Sequence, residues 1–182
     1  MSLLDTAREG LNILWERLTQ QGLGVTWSWF ADHVMRRLTG APIQRVSQIT
    51  PQLHVGGQYS QRGWPILQAR GVTAVVNMRD EFDSERVGLA PANYLYLPTV
   101  DDDAPTLEQL HQGSAFITEQ IANGGGVYIH CKSGVGRAAT MAAAYLMSTG
   151  MSQEEAWTQI RASRPFVRPT AVQLEQLDRF GA

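Results

Sequence analysis

The sequence predicts an α/β fold: a central, mainly parallel sheet flanked by helices, preceded by an N-terminal helical extension. Three observations carry that expectation. From about residue 43, short apolar runs alternate with stretches of helical periodicity, as in strands joined by crossover helices. Glycines such as Gly56-Gly57 and Gly150 punctuate the alternation where elements should stop. The first forty residues, by contrast, show helical spacing and no strand pattern.

In chain order, Leu3, Leu4, Ala7, Leu11, Leu14, Trp15 and Leu18 predict an amphipathic helix over 3–19, broken by Gly22 and Gly24. A second helix is expected over about 26–39, with Trp29, Phe30, Val34 and Leu38 among its apolar positions and Gly40-Ala41-Pro42 as its stop. Residues 1–42 therefore form the extension and 43–182 the main domain. Two destinations fit this helical pair. It packs on the main domain or on a second copy of the chain, giving a homodimer, or residues 1–40 lie at a membrane surface with Arg36 and Arg37 toward anionic headgroups. Amphipathic helices more often dock on protein, and we expect that here.

Within the main domain, Leu53-His54-Val55 reads as a short strand, Trp64 to Arg70 as a short helix, and Thr73 to Met78 as a buried strand. Tyr94 to Leu97 is a third strand. A helix follows from Thr106 to Ile121, and Thr106-x-x-Gln109 has the spacing of a capping box. Val127-Tyr128-Ile129 is the fourth strand, followed by a loop and a helix that Gly150 ends. Ser152-x-x-Glu155 caps the next helix, and a last one covers about 170–180.

The chain has 182 residues, 43% hydrophobic and 18% charged, which suits one globular domain plus an extra segment. A net charge of −2 gives no support to a nucleic-acid binder, which carries a basic stripe. The single cysteine excludes an intrachain disulfide and leaves Cys131 without a resolving thiol. Met1 to Glu9 lacks the basic start and apolar core of a signal peptide, and the fourteen uncharged residues between Arg17 and Asp32 are too few to span a bilayer. A cytoplasmic protein, or one peripheral at a membrane surface, is expected.

The chemistry is concentrated in His130-Cys131-Lys132-Ser133-Gly134-Val135-Gly136-Arg137. A strand leads into this stretch and a small-residue helix, Ala138 to Met147, leads out. Such a loop turns backbone N–H groups inward, and the helix dipole adds partial positive charge, so it suits a tetrahedral oxyanion. The same field favours the thiolate of a cysteine over its thiol. Arg137 can grip two phosphate oxygens through its planar fork. A lone buried cysteine is usually only a small hydrophobe, but four residue types in one strand–loop–helix setting are not a chance match.

His-Cys-x5-Arg resembles the signature of the cysteine-dependent protein tyrosine phosphatases, and the short length resembles their dual-specificity branch. The resemblance implies that Cys131 attacks phosphorus, that Arg137 and the loop residues Lys132, Ser133, Gly134, Val135 and Gly136 hold the phosphoryl oxygens, and that no metal or cofactor takes part. It also implies an acid on a separate loop about thirty residues earlier. Asp101, Asp102 and Asp103 follow a strand there, and spacing relative to Pro105 through Glu108 selects Asp101, with Asp102 as the alternative. His130 is expected behind the loop, either fixing it and favouring the thiolate or simply filling space; Ser133 is read as a small loop residue.

Many family members carry Ser or Thr directly after the Arg, where the hydroxyl assists the cysteine as leaving group. Here the residue is Ala138, and Thr140 stands one helical step too far. Slow breakdown of the phosphoenzyme is therefore expected. Lys132 adds charge at the pocket mouth, and Cys-Lys occurs in phospholipid phosphatases of the family. Thr99-Val100-Asp101, Pro105-Thr106-Leu107, Val127 to Lys132, Glu154-Glu155-Ala156, Arg168-Pro169 and the acidic-aromatic loop Asp80-Glu81-Phe82-Asp83 resemble the mitochondrial-type, phosphatidylglycerophosphatase-like group. Arg164 and Arg168 suit a polyanionic headgroup, or are ordinary helix-end charge.

A phospholipid is thus the first substrate class expected, with phosphotyrosine or phosphothreonine proteins next and phosphoglucans or inositol phosphates behind. A weakly active phosphate-binding module is the alternative from another class, to which Ala138 leaves room. A rhodanese-type or arsenate-reducing enzyme shares the Cys-x5-Arg loop, but reductases of that kind need further cysteines.

Overall fold

The computed structural model describes residues 22–181. The helix expected over 3–19 lies outside the described residues. The first described helix, α1, covers Leu23–Thr39 and ends at Gly40. A single 3₁₀ turn, Gln44–Val46, leads to β1, Leu53–Gly56. There follow α2, Trp64–Gln68; β2, Val72–Arg79; β3, Asn93–Thr99; and α3, Leu107–Ala122. The chain closes with β4, Gly126–His130; α4, Arg137–Ser148; α5, Gln153–Ser163; and α6, Ala171–Phe180.

The four strands form one sheet in the order β1-β4-β2-β3, and every neighbouring pair is parallel. The antiparallel pairing among the described residues is an isolated bridge, Gln48 to His54. β4 is buried along its whole length because it has a strand on each side and helices on both faces. Val127 and Ile129 point into one core and Tyr128 into the other, the period-2 alternation of a strand. The larger core is closed by α4, whose buried face is mostly alanine, so its backbone lies close over the sheet. Each fully buried Leu or Ile there contributes about 1.5–3 kcal/mol.

Capping boxes start α3 at Thr106–Gln109 and α5 at Ser152–Glu155, as the spacing predicts. A third, Thr170–Gln173, starts α6. No side chain caps α4, which begins behind Gly136 at the loop that follows β4. The carboxyl ends of parallel strands and an uncapped helix N-terminus thus meet at one place, where α/β folds bind ligands. No described helix is long and apolar enough to cross a membrane.

Candidate active site

β4 delivers Cys131 into the loop at this point, 3% exposed, and the Gly134 N–H donates to its Sγ at 3.2 Å. Gly134 has φ 69°, and a Cβ there would collide with the Gly56 backbone, so only glycine lets the loop fold over β1. The loop's carbonyls are all held from outside. Lys132 O accepts from the Gln58 N–H, Ser133 O and Gly134 O accept from Arg164, and Val135 O accepts from the Arg168 N–H. Gly136 O accepts from the N–H and hydroxyl of Thr140. With five successive carbonyls drawn outward, the amide edges turn inward and make a cradle for an oxyanion.

Arg137, the first residue of α4, is 1% exposed and anchored on its far side by Glu81. Nη1 donates to Glu81 Oε2 at 2.9 Å and to Thr99 O at 2.7 Å; Nη2 donates to Glu81 Oε1 at 3.2 Å. Nη2 also pairs with Asp101 Oδ1 at 2.8 Å. Nε is buried and has no acceptor among the described residues. Burial alone raises the Glu81 carboxyl, but hydrogen bonds from Arg137, its own backbone and Arg79 outweigh it and hold the group well below the usual carboxylate range. For Arg137 burial pulls downward, while Glu81, Cys131 and Asp101 together push the guanidinium above its ordinary value.

The acid loop is fastened from α6. Thr170 Oγ1 donates to Asp102 O at 3.0 Å, Gln173 Nε2 to Asp103 O at 2.8 Å, and Gln176 Nε2 to Pro105 O at 2.9 Å. Asp101 and Asp102 both line the cavity over Cys131, and Asp101 is the one that reaches Arg137. That cavity has a volume of about 650 Å³, with Ser133, Val135, Gly136, Arg168 and Gln173 also on its wall. Among the described residues, no three His, Cys, Asp or Glu side chains come together as a metal-ligand set.

Several expectations need revision. Lys132 is exposed and is not among the residues lining the cavity, where Arg168 supplies the cationic wall. Arg164 is neither headgroup-facing nor surface charge but fully buried behind the loop. His130 is also fully buried, and burial lowers it to about 3 despite the opposing pull of the Cys131 backbone. It is therefore neutral at pH 7, stacks with Tyr128 and sits edge-on to Tyr59, so it supports the loop by shape and not by charge. The Thr140 hydroxyl is spent on Gly136 O and does not substitute for the missing one at Ala138. Sequence reasoning gave no role to Glu81 or Gln173. Glu81 sat visibly in the Asp80–Asp83 loop, and Gln173 follows Thr170 at capping-box spacing.

Residues 53–182 match the dual specificity phosphatase catalytic domain. Mouse dual specificity protein phosphatase 14 is 31% identical over 147 residues, 74% of this chain and 68% of that protein. Mouse phosphatidylglycerophosphatase and protein-tyrosine phosphatase 1 is 38% identical over 118 residues, 60% of this chain and 61% of that protein. Rat protein phosphatase Slingshot homolog 3 is 31% identical, but the chain spans only 23% of its length. Among solved structures, PTPMT1 in complex with PI(5)P superposes with a TM-score of 0.67 at 32% identity, over 73% of this chain and 92% of that one. The domain match, the sequence relatives and the superposition agree, and the chain belongs to the dual-specificity branch of the cysteine-dependent protein tyrosine phosphatases.

Proposed function

We propose that the protein hydrolyses phosphomonoesters through a phosphocysteine, with a phospholipid headgroup as its substrate class. The observation that carries this reading is the convergence of Cys131, the loop whose amides at 133–137 oppose outward-held carbonyls, Arg137 and Asp101 on one cavity. Cys131 Sγ attacks phosphorus while the bond to the leaving oxygen breaks, and Asp101 gives that oxygen its proton. The amides and the Arg137 Nε and Nη2 groups take the charge on the three equatorial oxygens. Glu81 keeps the rest of the fork occupied, so Arg137 meets the phosphoryl group already oriented. An incoming phosphate competes with Asp101 for Nη2, which frees the carboxyl to move to the leaving group. In the second step water attacks phosphorus, the S–P bond breaks, and Asp101 takes the water's proton.

The phospholipid preference is supported by similarity to the phosphatidylglycerophosphatase relative and to the structure that holds PI(5)P, together with Arg168 on the cavity wall. Phosphoproteins are the second reading, supported by similarity to dual specificity protein phosphatase 14. One experiment tests both: phosphate release from phosphatidylglycerophosphate, phosphoinositides, phosphopeptides and p-nitrophenyl phosphate, each with and without EDTA. Phospholipids should be turned over fastest and EDTA should not matter. C131S should abolish activity on all of them, and D101N should cost about 10²–10⁴-fold on poor leaving groups. Strong EDTA inhibition, or D101N at wild-type rate on a poor leaving group, would sink the mechanism.

A further inference from the structure

The buried residue Arg164 uses its whole guanidinium on the phosphate cradle and its supports. Nε donates to Gly134 O at 2.7 Å, Nη2 to Ser133 O at 3.0 Å, and Nη1 to Val46 O at 2.8 Å. The fork lies over Phe166, 4.4 Å from the ring centre. Its counter-charge comes from outside the catalytic domain's sequence. Asp32, in the middle of α1 and 3% exposed, places Oδ2 3.4 Å from Nη2, while its Oδ1 accepts from the Ile43 N–H at 2.9 Å. One relay through Gln58 also runs from α1 to the same loop. Arg36 donates to Gln58 O, and the Gln58 N–H donates to Lys132 O. A Cβ on Gly57 would fall 2.7 Å from Arg36 Nε and 2.9 Å from Lys132 O, so the glycine is what lets helix and loop close on each other. Val25 and Trp29 of α1 pack on the cluster that contains Val135 of the loop and Phe166.

We propose that α1 is part of the phosphate-binding machinery, with Asp32 a positioning residue that acts through Arg164 on the cradle. The fork fixes where the Ser133 and Gly134 carbonyls point, and so where the neighbouring amides point. Asp32 fixes the fork and offsets its charge. These are separable effects with opposite signs at the cradle. Losing the fork's shape loosens the amides and weakens oxyanion binding. Losing the carboxylate leaves an uncompensated positive charge just behind the amides, which strengthens oxyanion binding even as the fold suffers.

The inference rests on reading residues 131–137 as a phosphate cradle, and the test separates the two. Tungstate, a tetrahedral dianion, is titrated by calorimetry into the full chain and its variants, with no turnover required. R164K, which keeps the charge but not the fork, should bind tungstate about tenfold more weakly. D32N should bind it severalfold more tightly while melting at a lower temperature. Loss of affinity in both variants would mean a merely structural contact and overturns the proposal, as does unchanged affinity in either. If D32N does not accumulate as folded protein, the double variant D32N/R164M, which removes both charges together, should recover the fold. A double variant no better folded than D32N overturns the pairing. Wild-type hydrolysis of p-nitrophenyl phosphate, lost in C131S, checks the enzymatic reading on its own.

Discussion

Glu81 shows how one side chain conditions the site through another. Its two oxygens take one edge of Arg137, and its carboxyl is held far below the ordinary range. Because the folded value lies below the unfolded one, its contribution is fully present above about pH 4.3 and is lost only as pH falls through the lower folded value. Two buried histidines act in a different window. His130 is lowered to about 3 and His54 to about 4, both first by burial, so the unfolded chain binds those protons before the folded one does. Their effect is a loss of stability as pH falls below about 6.5, with a slope of up to about 1.4 kcal/mol per pH unit for each. Urea denaturation from pH 7.5 to 4.5 should be flat above 6.5 and fall below it; a level profile down to 5 would contradict the neutral assignment. Cys131 and Arg137 were singled out from one strand–loop–helix pattern and Asp101 from the spacing that the family resemblance implies, and the structure brings all three to one cavity. Glu81 was visible as a member of an acidic loop, but its role depends on a contact 56 residues away that no local pattern encodes.

At the scale of elements, α6 does two things with one turn. Its Gln173 completes the helix's capping box through Oε1 and holds Asp103 O through Nε2. The residue is fully buried beside Gly136, so it spans the acid loop and the cradle. Q173A should therefore cost about 1 kcal/mol of stability for each side-chain hydrogen bond it removes. It should also slow turnover of poor leaving groups, which need a proton, more than that of good ones. Equal losses on both kinds of substrate would argue against a role in placing the acid. The strands and most helix starts were readable from apolar runs and capping spacings. Their order in the sheet was not, because the pairings of β4 with β1 and β2 are set by crossovers and not by neighbours in the chain.

For the whole molecule, α1 inverts the expected pattern. Leu23, Trp27, Phe30 and Leu38 are 79%, 68%, 41% and 66% exposed, while Thr26 and Asp32 are buried against the body. An apolar stripe normally marks the inward face of a helix, but only part of this one, Val25 and Trp29, packs on the body. A single buried ion pair, backed by Val25 and Trp29, decides the orientation. Removal of residues 1–40 should accordingly destabilise the remainder by about 3–5 kcal/mol, the cost of a buried charge left without its partner. Guanidinium denaturation of the full and shortened chains would measure it, and equal midpoints would show that α1 is an appendage.

The span of that ion pair has a consequence for how the enzyme comes into being. Asp32 and Arg164 are 132 residues apart, and Arg164 meets Val46 across 118. A growing chain leaves the ribosome N-terminus first. The nucleophile is therefore made well before the arginine that finishes its cradle. Until Arg164 has emerged, the loop at Cys131 follows a full set of strands but lacks the fork that orients its carbonyls, so the cradle is completed only after the sheet.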